Sequence, residues 1–334
     1  PNPMVGAILV YNDRIIGEGW HRAFGQPHAE VACLENVASE HRHLIPESTM
    51  YVSLEPCAHF GKTPPCADRI VAEGIKRVIV CNRDPFDKVS GKGFDILKDH
   101  GIETEAGLSE QAGRWLNRRF FCFHEQKRPY IILKWAQTSG GFFAPLNRTR
   151  FQMSNVHSQQ LLHKWRTEEA AIMVGTRTAL HDDPALTARL WKGRQPLRIV
   201  LDRRLELPGN LRVFNSDAPT WIINESKESA HGLVTYRKLP FDNQLLQSLC
   251  SLMHAESKTS LLVEGGATLL NHFIEAGLWD EARIFMTTAS LADGIHAPLL
   301  KNAAPAFSSI LGFDELLVST NMNSAFAWQP GMQL

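Results

Sequence analysis

The chain of 334 residues has no charge of one sign to spare, with 35 Lys+Arg against 35 Asp+Glu. That balance argues against a nucleic-acid binder working through a broad basic face. No stretch approaches the roughly 18 consecutive apolar residues that a membrane-spanning helix needs. Cysteine is scarce, six in all. That is no disulfide scaffold in a chain this long, and a reducing, cytoplasmic setting fits better. Internal repeats and low-complexity segments are absent, and nothing at the Pro1 start resembles a signal peptide. What is present is an ordinary globular composition, 44% hydrophobic and 21% charged, which can bury real cores. At roughly 100–200 residues per domain, two domains are expected.

The first third alternates strand and helix signals. Residues 5–10 read as a buried strand, and Asn12-Asp13 marks a turn. A helix is expected near Pro27-His28, with Val31, Leu34, Val37 and Ala38 on one face. Strands are expected over 50–54 and 77–81, with a helix between them opened by Pro64-Pro65 and stopped by Gly74. A second series begins after Lys127-Arg128-Pro129. It comprises strands over 130–135, 170–174, 197–201, 220–223, 261–263 and 282–286, a helix capped by Ser154, and a helix over 267–276. The alternation indicates an α/β fold with parallel pairing. A boundary in the polar stretch 124–128 separates a domain over 1–124 from one over 125–334.

His28-Ala29-Glu30 is followed by Pro56-Cys57 and then Cys66. One imidazole and two thiolates suit zinc, and three protein ligands leave a fourth position for water, as in catalytic sites. Zinc lowers the pKa of such a water to about 7. Glu30, two residues beyond His28, is then a proton shuttle rather than a ligand. The arrangement follows the zinc nucleobase-deaminase pattern H-x-E with P-C-x-x-C, except that eight residues separate the cysteines here.

Those eight residues carry a resemblance. Pro1-Asn2-Pro3-x-Val5-Gly6, the His28-Ala29-Glu30 triplet, and the run from Leu54-Glu55-Pro56-Cys57 through Thr63-Pro64-Pro65-Cys66 resemble the bifunctional deaminase–reductases of riboflavin biosynthesis. Asp84-Pro85 followed by Val89-x-Gly91-x-Gly93 agrees. The resemblance implies zinc on His28, Cys57 and Cys66 and proton transfer by Glu30. It implies a substrate pocket lined by Asn2, His21, His59, Lys62 and Asp84. A helix precedes the Pro-Asn-Pro stretch in that family, so an N-terminal segment is expected to be missing. Lys62 could equally be a solvated loop lysine, although a phosphorylated substrate needs a cation. Phe86 stands where the family has Asn.

In the second domain, residues 261–263 run through Glu264-Gly265-Gly266 into Ala267-Thr268-Leu269. This is a strand, a glycine turn and a helix start. Read alone, it is either a tight turn or a phosphate cradle. Lys134-x-Ala136, Val174-Gly175-Thr176-x-Thr178 and Asp182-x-Pro184-x-Leu186-x-x-Arg189 resemble the reductase half of the same family. The implied fold is a zinc-dependent cytidine-deaminase-like domain followed by a dihydrofolate-reductase-like domain. The implied NADPH contacts are Ala136, Thr178, Asp182, Gly266, Ala267 and Thr268. The implied substrate contacts are Lys134, Arg166, Leu186, Arg189 and Glu264. Departures occur at Thr138-Ser139-Gly140-Gly141, which lacks the family's Asp, at Gln152-Met153-Ser154, and at Arg150.

The expected function is zinc-dependent deamination of 2,5-diamino-6-(5-phosphoribosylamino)pyrimidin-4-one, then NADPH-dependent reduction of the ribosylamino group to ribitylamino. Two alternatives compete: a zinc deaminase with a degenerate, non-reducing second domain, and a zinc-stabilised nucleic-acid-binding module without catalysis. The expected partner is a small phosphorylated pyrimidine, with no nucleic acid and no membrane. Homo-oligomer formation stays open.

Overall fold

A computed structural model describes residues 3–58, 60, 64–86, 90–146, 151, 153–326, 328, 330 and 332. The chain divides into two compact units, one running to Glu125 and one from Gln126. Among the described residues no helix is long and apolar enough to cross a membrane.

The first unit comprises β1 (Gly6–Tyr11), β2 (Arg14–Trp20), α1 (Ala29–Glu35), β3 (Thr49–Leu54), α2 (Cys66–Ala72), β4 (Arg77–Asn82), α3 (Lys92–Asp99), β5 (Glu103–Ala106), α4 (Glu110–Leu116) and α5 (Arg118–Glu125). Its strands form one sheet in the order β2-β1-β3-β4-β5. β3, β4 and β5 run parallel, while β1 is antiparallel to both β2 and β3. Asn12 and Asp13 both take positive φ, 46° and 61°, the geometry of a two-residue hairpin turn. The turn therefore opens a strand that hydrophobic periodicity did not reveal. β2 holds Gly17 and Gly19 because α1 crosses it closely. A Cβ on Gly19 would lie 2.2 Å from the Cys33 nitrogen.

α1 buries Ala29, Glu30, Cys33 and Leu34, the i, i+4 face of a short helix. It ends at an Asn36 cap. Val37 is buried beyond the helix end and Ala38 is exposed, so the expected face through Ala38 is two residues too long. α2 begins directly after Pro64-Pro65, with Pro65 at its N-cap and Gly74 just past its end. Leu9, Met50, Val52, Ile70, Val78, Val80 and Leu97 form the centre of the core.

The second unit comprises β6 (Tyr130–Thr138), β7 (Phe142–Ala144), α6 (Val156–Glu168), β8 (Ala171–Val174), α7 (Thr176–Asp182), β9 (Leu197–Leu201), β10 (Thr220–Asn224), β11 (Ser229–His231), β12 (Val234–Lys238), α8 (Leu245–Ala255), β13 (Ser260–Gly265), α9 (Ala267–Glu275), β14 (Glu281–Thr287), β15 (Ile295–His296), β16 (Ala303–Leu311) and β17 (Asp314–Asn321). The large sheet has the order β11-β12-β10-β9-β8-β13-β6-β14-β17-β16. β12 through β14 in that order are parallel, with antiparallel strands at both edges. Strands of such a sheet are apolar on both faces, as in Ile131, Leu133, Leu261, Val263, Ile172 and Val174. Asn155, rather than Ser154, caps α6. Its side chain accepts from the His157 and Ser158 N–H groups at 2.9 and 3.1 Å.

Candidate active site

In the first unit three elements deliver three soft donors to one point. His28 stands at the N-cap of α1, Cys57 follows β3, and Cys66 is the first residue of α2. The His28 Nδ1 lies 3.4 Å from the Cys57 Sγ and 3.3 Å from the Cys66 Sγ. The three donor atoms all fall within 4.8 Å of one another. A tetrahedral zinc with bonds of about 2.1 Å to nitrogen and 2.3 Å to sulfur sets such donors about 3.6 Å apart. The donor set therefore fits zinc in both chemistry and spacing.

The Cys66 N–H donates to the Cys57 Sγ at 3.3 Å. The Cys66 thiol, and then His28, favour the Cys57 thiolate and pull its pKa down to about 4, despite burial. The same pairing pushes Cys66 up. The other four cysteines, Cys33, Cys81, Cys122 and Cys250, lie outside this cluster.

Glu30 faces the cluster from the first turn of α1 and is 3% exposed. Burial pushes its carboxyl up to about 7, with the Cys57 charge adding to the effect. His21 lies edge-on to His28 with ring centroids 5.4 Å apart, and its Nδ1 bonds the Pro27 carbonyl at 3.1 Å. Asp84 is half-buried beyond β4. Burial first, then Glu55 and Cys57, raise its carboxyl to about 6. Asn2, His59 and Lys62 lie outside the described residues. Phe86 turns its ring onto His124, centroids 5.2 Å apart, and its N–H donates to the Asp84 Oδ1 at 2.8 Å. Sequence reasoning missed Asn117, whose amide bonds both the N–H and the carbonyl of Met4 at 2.7 and 2.9 Å.

In the second unit a cavity of about 540 Å³ opens at the C-terminal ends of the parallel strands. Ala136, Thr178, Asp182, Gly266, Ala267 and Thr268 line it, with Lys134 and Glu264. Gly266 has φ 20° and its N–H donates to the Thr178 Oγ1 at 2.9 Å. A Cβ there would approach that oxygen to 3.0 Å. The first-turn amides of α9 have no intrahelical acceptor, and the glycine leaves room for a phosphate to approach them. The cradle therefore fits a dinucleotide.

Arg166 comes from α6, and Leu186 and Arg189 from the segment after α7. Arg166 is buried, and its guanidinium forks onto Glu264, Nε to Oε1 at 2.8 Å and Nη2 to Oε2 at 2.6 Å. Its Nη1 donates to the Thr187 carbonyl at 3.0 Å. Arg166 thus holds Glu264 and the 187 backbone, and it does not line the cavity. Burial would raise the Glu264 carboxyl, but the Arg166 charge and hydrogen bonds outweigh it and hold it below its usual range. Leu186 takes φ 53° and buries its side chain among Ile172, Val174, Val200 and Val213. Arg189 is exposed, and its N–H donates to the His163 Nδ1 at 3.0 Å. His163 is buried and held neutral, its pKa down to about 4 through burial and the nearby Arg166 and Arg189.

Lys134 is buried at the cavity wall, and burial lowers its pKa against the pull of Glu264. The first-loop departure leaves a complete turn. Gly141 N–H donates to the Thr138 carbonyl and Phe142 N–H to the Thr138 Oγ1, at 2.9 and 3.1 Å. Arg150 and Gln152 lie outside the described residues.

Fold and donor chemistry define a class: a zinc-dependent deaminase joined to a reductase in one chain. Residues 1–82 match the cytidine and deoxycytidylate deaminase zinc-binding region, and residues 129–293 match the RibD C-terminal domain. The riboflavin biosynthesis protein RibD of Aquifex aeolicus is 39% identical over 300 residues, covering 88% of this chain and 83% of that protein. The RibD of Bacillus amyloliquefaciens is 34% identical over 310 residues, covering 90% and 82%. The solved structure of a diaminohydroxyphosphoribosylaminopyrimidine deaminase/5-amino-6-(5-phosphoribosylamino)uracil reductase from Thermotoga maritima is similar with a TM-score of 0.85. It is 32% identical and covers 96% of this chain and 93% of that one. The chain belongs to the RibD family of riboflavin biosynthesis proteins.

Proposed function

We propose that the chain carries out two consecutive reactions of riboflavin biosynthesis, one in each unit. The first unit hydrolytically deaminates 2,5-diamino-6-(5-phosphoribosylamino)pyrimidin-4-one. The second reduces the ribosylamino group of the product to ribitylamino. The observation that carries this reading is the donor triad His28, Cys57 and Cys66 beside the buried Glu30, in a chain whose second unit has its own dinucleotide cradle.

His28, Cys57 and Cys66 would hold the zinc. Bound there, zinc supplies a water acidified to a pKa of about 7. Glu30, with a carboxyl raised to about 7, is matched to accept a proton from that water and return it to the departing amine near neutral pH. A carbon–nitrogen bond breaks, a carbonyl forms, and ammonia leaves. His21 and Asp84 orient the pyrimidine, together with Asn2, His59 and Lys62.

NADPH supplies the hydride for the second reaction. Ala267 and Thr268 receive its phosphates on backbone N–H groups, Gly266 keeps the approach free of a side chain while Thr178 holds its N–H in place, and Ala136 and Asp182 complete the wall. Lys134 and Glu264 meet the phosphoribosyl group. Arg166 supports Glu264 from behind, and Leu186 and Arg189 shape the segment at the cavity's edge. The proposed setting is a reducing, cytoplasmic one, where both zinc thiolates stay available. The test follows ammonia release and NADPH oxidation separately with the phosphorylated diaminopyrimidine. Ammonia without NADPH oxidation would leave only the first reaction standing.

A further inference from the structure

Glu55 sits between the end of β3 and Cys57, and it is 4% exposed. Its own N–H donates to the Asn82 carbonyl at 2.9 Å. Three backbone N–H groups donate to its carboxylate. Asp84 and Gly91 reach Oε2, each at 3.2 Å, and Gly93 reaches Oε1 at 3.1 Å. A carboxylate is an acceptor on both oxygens, and bonds from N–H to a charged acceptor are among the stronger ones.

These donors come from both ends of the segment that links β4 to α3. Gly93 closes the arrangement from the far end. A Cβ there would fall 2.1 Å from the Pro56 carbonyl oxygen, so the start of α3 is pressed against the peptide that leads into the zinc donor Cys57. One buried side chain thus ties the residue pair Pro56-Cys57 to Asp84 on one side and to Gly91 and Gly93 on the other. In the zinc motif, His28, Glu30, Cys57 and Cys66 account for the metal and the proton. Glu55 touches neither, yet its contacts fix the segment on which Asp84 stands.

We propose that Glu55 is a positioning residue of the deaminase, which sets Asp84 relative to Cys57 by stapling the backbone at Asp84, Gly91 and Gly93 to the zinc motif. The inference rests on the reading of Asp84 as a substrate contact. Glu55 is expected to act on how tightly and in what orientation the pyrimidine sits, and not on zinc retention or on the second reaction.

Glu55→Gln replaces one acceptor oxygen by an NH2 group that faces a backbone N–H, so at least one of the three bonds is lost. The experiment compares the intact wild-type chain with Glu55→Gln, Asp84→Asn and the double variant. It measures zinc per chain, kcat and KM for ammonia release, and NADPH oxidation with deaminated substrate supplied. Glu55→Gln is expected to keep one zinc and a wild-type rate of NADPH oxidation, and to raise the deaminase KM about tenfold, more than it lowers kcat. The double variant is expected to match Asp84→Asn alone within about twofold, because the two residues act as one unit. Multiplying effects in the double variant, or loss of zinc in Glu55→Gln, would overturn the inference while leaving Asp84 a substrate contact. A wild-type KM in Asp84→Asn would overturn both readings together. Should Glu55→Gln fail to fold, Glu55→Asp keeps the charge and shortens the reach. It is expected to raise KM in the same sense, and an unchanged KM would count against the inference equally.

Discussion

The two units build their sites from opposite materials. The first uses side chains: His28, Cys57 and Cys66 arrive from three elements and converge within 4.8 Å. The second uses backbone: its cradle is a glycine turn whose N–H is held by Thr178 and whose φ of 20° few side chains tolerate. A side-chain site depends on which residues are present, and it fails when one donor is removed. A backbone site depends on conformation, and it fails when something is added.

That contrast can be broken most forcefully at Cys66. Cys66→Ala is expected to lose nearly all zinc and all deamination, whereas alanine at Cys33, Cys81, Cys122 or Cys250 leaves zinc at one per chain. Metal analysis of each variant decides this, and full zinc in Cys66→Ala would refute the assignment. NADPH oxidation with supplied intermediate should continue in every case.

Glu30→Gln comes next. It removes the proton shuttle and no ligand, so deamination should fall by about 10²- to 10⁴-fold with zinc intact. Reduction of supplied intermediate should be unchanged. If wild type oxidises NADPH and the variant does not, the two sites are not independent.

The effect at Gly266 is smaller. Gly266→Val forces a branched side chain into positive φ and against the Thr178 Oγ1, a strain of about 1–3 kcal/mol. NADPH affinity, read by fluorescence titration, should weaken roughly tenfold or more, with deamination untouched. Equal affinity in both proteins would remove the cradle from the second site.

The smallest effect lies in pH. His163 is pushed down to about 4 when folded, below the ordinary value near 6.5. The unfolded chain therefore binds a proton first. The stabilisation from neutral His163 is complete above about pH 6.5 and is lost progressively toward pH 4. Denaturant unfolding at pH 7 and pH 5 should show the advantage of wild type over His163→Gln shrinking at the lower pH. A constant difference would mean that His163 does not titrate as its surroundings imply.

The same contrast governs what could be read without a structure. The metal triad and Glu30 were legible because their chemistry resides in residue types at fixed spacing. Six of the seven parallel strands of the second unit were legible as short apolar runs, and β12, largely polar, was not. β2 was not, because Gly17 and Gly19 weaken its strand signal, and they are there for the passage of α1. Arg166 was legible only as a substrate contact implied by the resemblance; its fork onto Glu264, 98 residues away, is a pairing no local pattern announces. Leu186 falls in a motif that implies contact, and the motif does not announce the φ of 53° or the side chain's place in the core. Glu55 sat in plain view beside Cys57, but its three donors lie 29 to 38 residues downstream.

The Arg166–Glu264 fork constrains how this chain can drift over generations. Both side chains are 8% exposed, and removing one partner of such a pair strands the other charge, at a cost of about 3–5 kcal/mol. A lineage that replaces either residue alone crosses a deep fitness valley, so the two positions are bound to change together or not at all. In an alignment of relatives they should behave as a single inherited character, split between two distant stretches of the gene.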